Sequence, residues 1–135
     1  MAVPKSKRGN GELLVITKAR RLAKYTVTIC TNEKCFPKRY RWCITQKIVN
    51  FSIDIYNLLN MADSTFVKTK GDLELRRNYQ KHALSSTYAL LSMVDLAKLT
   101  FHIRGRRIEY WTALVKQVQK LLRGWIDSDA KKIID

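Results

Sequence analysis

Apolar residues recur at intervals of three and four positions in four separate segments of this 135-residue chain. Positions three and four apart lie on one face of an α-helix, which turns by about 100° per residue. Each segment is therefore predicted to form an amphipathic helix with one face directed to a core. In the first helix, predicted over about residues 12–31, the apolar positions are Val15, Ala19, Leu22, Thr26 and Ile29.

Three further helices are predicted over about residues 37–62, 72–100 and 106–125. Pro37 suits the first position of the second helix, because a first turn leaves that backbone N–H unpaired in any case. Asp72 is the expected N-cap of the third helix. The predicted core positions of the second helix are Ile44, Ile48, Phe51, Ile55, Leu58 and Ala62. Those of the fourth helix are Trp111, Leu114, Val118, Leu121 and Trp125.

The expected fold class is all-α. Five glycines and two prolines leave little room for the many turns of a β-sandwich or barrel. Short connections favour antiparallel neighbours, and the three-four spacing favours the shallow crossing angle of a four-helix bundle. We expect one antiparallel four-helix bundle over residues 12–126, a flexible basic arm at residues 1–11 and a C-terminal tail at residues 127–135.

Two of these helices carry more apolar residues than one bundle core requires. The second helix has a further stripe, Val49, Ile53 and Tyr56, and residues 83–101 are apolar around well over half of their helix. Surplus apolar surface indicates an interface, so a homo-oligomer is expected. The alternative is an irregular bundle with tilted helices, which could bury the same side chains internally.

Lysine and arginine greatly outnumber the acidic residues, by 26 to 11, for a formal charge of +15. Such an excess repels itself in a compact chain unless a polyanion neutralises it, and nucleic acid, RNA or DNA, is the expected polyanion. A membrane surface is the competing one. However, no apolar run approaches the roughly 20 residues of a transmembrane helix, and the first residues lack the apolar stretch of a signal peptide. We therefore expect a cytoplasmic protein without a membrane partner.

Three groups of basic residues are candidates for binding phosphates. The first group is Lys18, Arg20, Arg21, Lys24, Lys38, Arg39 and Arg41. The second, on the predicted third helix and just before it, is Lys70, Arg76, Arg77 and Lys81. The third, before the fourth helix, is Arg104, Arg106 and Arg107. Because phosphate contacts do not read base sequence, the expected binding is broad and sensitive to salt.

Aromatic residues interleave with the basic ones in the segment CFPKRYRW. Phe36, Tyr40 and Trp42 would offer rings on which bases could stack beside phosphate-binding charges. For Phe36 and Trp42 the alternative is a place in the core at the start of a helix. The charges of the segment favour nucleic-acid binding under either interpretation.

No catalytic site, metal site or cofactor is predicted. The cysteine spacing C-x4-C-x7-C at Cys30, Cys35 and Cys43 matches no common zinc site, and reduced structural thiols are expected. One enzymatic alternative stays open. Arg77 to His82 fits the R-N-x-x-x-H pattern of helical HEPN ribonucleases, in which Arg and His are thought to promote metal-independent attack by a ribose hydroxyl. These side chains project about 140° apart on a helix, so a dimer would have to bring them together.

The segment FPKRYRWCITQKIVN and the residues after it resemble a known bacterial family of four-helix bundles. The family includes the accessory variability determinant of diversity-generating retroelements and the proteins encoded by intervening sequences in 23S ribosomal RNA genes. Similar stretches occur at residues 75–84 and 121–125, so the resemblance covers about residues 12–126. The spacing that carries it is that of Phe36, Pro37, Lys38, Arg39, Tyr40, Gln46 and Asn50.

This resemblance implies a homopentameric barrel of four-helix bundles with a positively charged surface. It also implies binding to nucleic acid and to a partner reverse transcriptase during mutagenic retrohoming. A stand-alone RNA-binding bundle of the intervening-sequence type is the alternative. The matching basic positions in this chain are Lys38, Arg39, Arg41, Arg76, Arg77 and Lys81.

Overall fold

The computed structural model describes residues 13–132, which form four long helices and no strands. The all-α, four-helix prediction is therefore confirmed for this part of the chain. The predicted basic arm at residues 1–11 and the last three residues of the predicted tail lie outside the described residues. The helices are α1 (Leu14–Cys30), α2 (Gln46–Ser64), α3 (Lys70–Thr100) and α4 (Gly105–Ala130).

The helices pack in the order of the chain around one core. α1 packs against α2 and α4, and α3 packs against the same two helices. Tyr25, near the end of α1, has its ring 6.3 Å from that of Trp111, near the start of α4, so these two helices run antiparallel. Residues 31–45 and 101–104 connect helices at what we call the two-loop end, and residues 65–69 do so at the one-loop end.

Most of the predicted core positions are buried. Trp111 is completely buried, and its indole Nε1 donates a hydrogen bond to the Thr26 hydroxyl at 3.0 Å. That hydroxyl in turn donates to the Leu22 carbonyl at 2.8 Å, so a polar pair inside the core is satisfied. Leu121, Ile44 and Phe51 are only partly buried and pack against the edge of the core, and Leu122 is the fully buried leucine at this level of α4.

The third helix begins earlier than predicted, and its cap is a different residue. Thr69 is the N-cap, and its hydroxyl accepts from the backbone N–H of Asp72 at 3.1 Å. The Asp72 carboxylate accepts from the backbone N–H of Thr69 at 3.1 Å. This reciprocal arrangement is a capping box, so Asp72 occupies the third helical position instead of the predicted N-cap. These backbone hydrogen bonds, including one from Lys68, lower the pKa of Asp72.

The fourth helix continues to Ala130, beyond its predicted end at residue 125. A buried polar group near its end explains the extension. Asp129, only 2% exposed, accepts from the Arg76 guanidinium at 3.4 Å and from the Gln80 amide at 3.0 Å. Lys132 lies 3.2 Å from its other oxygen. These bonds fasten the last turn of α4 to α3, so part of the predicted tail belongs to the bundle.

The second helix begins in an irregular way. A 3-10 turn at Lys38–Tyr40 follows Pro37, and a π-helical turn at Arg41–Thr45 leads into α2 at Gln46. The prediction of one continuous helix from Pro37 is therefore wrong in detail. Within residues 13–132, none of the helices has the length and apolar character needed to cross a membrane.

Candidate nucleic-acid interface

Basic residues are concentrated at the two-loop end. Residues 31–45 and 101–109 contain seven lysines and arginines but only two acidic residues, Glu33 and Glu109. The fold brings these two segments together although about sixty residues of chain separate them. The ring of Phe101 packs 5.2 Å from that of Phe36 and 5.0 Å from that of Tyr40, so an aromatic cluster joins the two loops.

A compact turn fixes the loop after α1. The carbonyl of Asn32 accepts from the backbone N–H groups of Cys35 and Phe36 at 3.0 and 2.8 Å. The Asn32 side chain accepts from the backbone N–H of Lys34 at 3.0 Å, which is an Asx-type hydrogen bond. With its backbone groups satisfied in this way, the loop holds Cys35 and Phe36 in the core and leaves Lys34 exposed.

The two loops border a cationic cleft of about 270 Å³, which we call the phosphate cleft after the ligand proposed for it below. A guanidinium N–H of Arg107 donates to the Cys35 sulfur at 3.4 Å, which fixes one wall. Because none of the lining side chains is acidic, the positive potential inside the cleft is not cancelled locally. The lining residues are Asn32, Lys34, Cys35, His102, Arg104 and Arg107.

The basic residues after Pro37 project from the 3-10 and π-helical turns. Lys38, Arg39 and Arg41 are exposed there. Lys38 lies 3.2 Å from Glu33, but both side chains are more than 60% exposed and such a surface pair contributes little stability. The pair can therefore separate at little cost in free energy. The structure thus brings the FPKRYR segment and the 104–107 segment to the same end of the bundle.

Phe36 and Trp42, which had the same two interpretations, behave differently in the fold. Phe36 is 3% exposed and packs against Trp111, so it is a core residue. Trp42 is 78% exposed, beside Arg41 in the π-helical turn. Large exposed rings beside cations are typical of surfaces that stack bases. Trp42 is therefore the ring of this pair that remains a candidate for binding.

The four basic residues of the first group that lie on α1 are only partly available to a partner. Arg21 and Lys24 are exposed, whereas Lys18 is half-buried. Arg20 donates from Nε to the Tyr56 hydroxyl at 3.2 Å, and its guanidinium lies 5.6 Å from the centre of that ring. Arg20 therefore links α1 to α2 as well as carrying charge.

The second group of basic residues, on α3, lies toward the one-loop end of the molecule. Lys70 is the first residue of α3, and Lys81 is exposed three turns later. Arg77 is half-buried and His82 is exposed. The fold therefore does not bring this group together with the cations of the two-loop end.

Arg76 is a correction to the predicted set of binding residues. Its side chain is only 12% exposed and is used inside the protein, on the buried Asp129 carboxylate and on the Thr65 carbonyl at 3.0 Å. Its guanidinium also lies 5.9 Å from the centre of the Trp125 ring. An arginine held in this way joins α3, α4 and the 65–69 loop, and it is not placed to bind phosphate.

Two basic side chains of the phosphate cleft, Lys34 and His102, were not among the predicted binding residues. Neither has a sequence signal of its own, because the cleft forms from two loops that are distant in the chain. The nearest signal in the sequence is the run of arginines that begins two residues after His102.

The three thiols of the described region are free, with Cys30 and Cys35 buried and Cys43 exposed. Burial raises the pKa of Cys30 to about 12, with a smaller contribution from neighbouring Cys35. Cys30 is therefore a neutral thiol at ordinary pH, consistent with a structural role.

Comparison of the chain with family profiles, curated proteins and solved structures finds no match in any of the three.

Proposed function

We propose that this chain is a non-enzymatic protein that binds nucleic acid through phosphates held at its two-loop end. The observation that carries the proposal is the phosphate cleft, in which Lys34, Arg104 and Arg107 converge without an acidic neighbour among the lining residues. A phosphate offers oxygen acceptors to several N–H donors at once, which suits arginine in particular. Trp42, Lys38 and Arg39 extend the same surface.

The supporting argument is one of charge pairing. Among the residues described, Lys34, Arg104 and Arg106 make no ion pair with an acidic side chain. Like charges held close together by the fold destabilise it unless an anion binds. The partner best suited to relieve the repulsion is therefore a polyanion, either RNA or DNA.

A broader role in the cytoplasm is also part of the proposal. By the resemblance described above, the chain would assemble as a homopentamer and act with a reverse transcriptase of a diversity-generating retroelement. Exposed apolar side chains support an interface of some kind, since Leu99 is 77% exposed and Leu96 and Ile53 are also exposed. Retention of the product of a neighbouring polymerase gene during purification at high salt would support docking beyond charge alone. Its absence would favour the stand-alone RNA-binding bundle.

The phosphate cleft is tested by removing equal charge from the two ends. A Lys34→Gln, Arg104→Gln, Arg107→Gln variant should bind single-stranded RNA and DNA at least about tenfold more weakly. The slope of log affinity against log salt concentration should fall by about one for each phosphate that the variant no longer neutralises. A Lys70→Gln, Lys81→Gln, Lys131→Gln variant is the matched control and should change little. Equal weakening of both variants would contradict a local site.

The enzymatic alternative is tested by incubating the protein with RNA in the presence of EDTA. We expect intact RNA, because Arg77 and His82 lie outside the phosphate cleft and project about 140° apart on α3. Cleavage that disappears in a His82→Ala variant would overturn the non-enzymatic proposal.

A further inference from the structure

A second cavity, of about 320 Å³, lies between the end of α1 and the start of α2. It shares the 31–37 loop with the phosphate cleft but none of its lining residues. Its walls are largely apolar and are formed by Val27, Cys30, Phe36, Pro37 and Val49. A cavity of this volume with apolar walls and a few polar groups has the character of a small-ligand site.

The π-helical turn forms one side of this cavity. Arg41 at its start, Thr45 at its end and Gln46 just after it all line the space. The backbone N–H of Gln46 donates to the carbonyl of Arg41, five residues back, so the turn is wider than an α-helical one. Turns of this kind are rare and are found frequently at functional sites.

The widened turn leaves Thr45 with a buried hydroxyl that has no hydrogen-bond partner. Thr45 is 9% exposed, whereas Thr26, Thr28 and Thr100 each donate to the carbonyl four residues back. A buried hydroxyl without a partner destabilises a fold, and such a group calls for an explanation, of which a bound ligand is one. Thr45 lines the cavity, so rotation about its Cα–Cβ bond could bring the hydroxyl to a polar edge of a ligand.

Charged side chains also line this cavity. Lys38 and Arg41 contribute to its lining, as does Glu33, whose carboxylate lies 3.2 Å from the Lys38 amine in an exposed pair. Gln46 adds an amide that bonds Asn50 at 2.9 Å. The combination is an apolar slot with polar groups, two cations and one exposed carboxylate, which matches a flat heteroaromatic ring attached to a phosphate backbone once the Lys38–Glu33 pair separates.

We propose that this cavity accepts one unstacked nucleobase of a single-stranded nucleic acid. This inference rests on the proposed function, since the backbone of the same strand would be held by Lys38, Arg41 and the phosphate cleft. The apolar walls cover the faces of the base, and the Thr45 hydroxyl and Gln46 amide meet its polar edge. Binding through phosphates alone does not depend on the bases. A base site would make the affinity depend on whether bases are present.

The test compares two short single strands of equal length and charge, a mixed-sequence RNA and a fully abasic analogue. We expect the RNA to bind about tenfold more tightly at the same salt concentration, because stacking and hydrogen bonding of a base add to phosphate attraction. The salt slopes of the two should agree, since both carry the same number of phosphates. Affinity is read from the fluorescence anisotropy of labelled strands.

Two substitutions test whether the base binds in this cavity. Thr45→Val removes the unpartnered hydroxyl at constant shape, and Val27→Met narrows the cavity from an exposed position without changing charge. Both variants should lose at least half of the RNA preference and keep the affinity for the abasic strand. Thr45→Val should also melt at the same temperature or higher, because the unsatisfied group is gone. Thr100→Val, outside the cavity, is the control.

The possible failures are distinguishable. Equal affinity for both strands would overturn the base site and leave phosphate binding intact, whereas no binding of either strand at low salt would overturn the proposed function. A preference for RNA that survives both cavity variants would place the base elsewhere, for example on Trp42, and would also overturn the inference. Binding of an apolar peptide that Val27→Met abolishes, with the RNA preference unchanged, would identify a protein side chain as the occupant.

Discussion

At the two ends of the bundle, residues 62–77 and 123–132 and residues 31–45 and 101–109 carry equal numbers of basic residues but unequal numbers of acidic ones. Residues 62–77 and 123–132, at the one-loop end, contain seven lysines and arginines and five acidic residues. Residues 31–45 and 101–109, at the two-loop end, contain seven lysines and arginines and two acidic residues. Arg76 is neutralised inside the protein by Asp129, whereas Arg104 lines a cleft that has no acidic side chain among its lining residues.

This difference separates cations that hold the fold together from cations that are available to a partner. A buried arginine paired with a carboxylate stabilises the junction of α3 and α4 only while both partners are present. Exposed cations that repel one another contribute nothing comparable to stability. Their local excess is instead a source of attraction for an anion.

The largest effect is expected from breaking the pair at the one-loop end. Asp129→Ala should lower the free energy of unfolding by about 3 kcal/mol, because it leaves the Arg76 guanidinium largely buried and unpaired. Urea denaturation measures the change. Glu33→Ala, which breaks the exposed pair with Lys38 at the two-loop end, should change it by less than about 1 kcal/mol. Similar losses in the two variants would contradict the distinction between the ends.

The capping box at the start of α3 gives the next largest effect. Thr69→Ala should cost about 1 kcal/mol, since it leaves the backbone N–H of Asp72 without its partner. Thermal or urea unfolding measures this loss of stability. A change near zero would mean that the capping box does not stabilise the one-loop end.

Acid should weaken the same cap. The pKa of Asp72 is lowered in the folded state by backbone hydrogen bonds, so its contribution is present above the ordinary value of 3.8 and is lost as the pH falls through the folded pKa. Asp72→Asn should therefore remove part of the decline in stability seen below about pH 4. Identical acid profiles for the two proteins would show that this carboxylate does not take part.

A smaller effect tests whether the two-loop end is a packed structure. Cys43 is exposed, whereas Cys30 lies under the loop with its pKa raised to about 12. Iodoacetamide at mildly alkaline pH should therefore modify Cys43 first and leave Cys30 unreacted until the protein unfolds. Mass spectrometry of the intact and digested protein identifies the site. Early reaction at Cys30 would mean that this end opens readily.

Helix positions were largely predictable from the sequence, because burial imposes a periodic pattern on each helix separately. Trp111 and Val118 are buried as their spacing indicated. The role of Arg76 was not predictable, because its partner Asp129 lies 53 residues away and nothing local marks either as buried. The two neighbouring arginines Arg76 and Arg77 look alike in the sequence and differ only in their tertiary environment.

The candidate site was predictable in charge but not in geometry. The basic segments around Lys38 and Arg104 were identified, yet their meeting depends on the aromatic packing of Phe101. The π-helical turn and the unpartnered Thr45 hydroxyl were missed, since one extra residue in a turn leaves no periodic signal. At such irregular elements the requirements of function and the local preferences of the sequence can favour different structures.

Lysine footprinting with and without bound single-stranded nucleic acid tests the central claim most directly. Acetylation followed by mass spectrometry reports each lysine separately. We predict that nucleic acid protects Lys34 and Lys38, at the two-loop end, and leaves Lys70 and Lys81 as reactive as in the free protein. Uniform protection of all four, or protection of Lys70 and Lys81 alone, would contradict the account.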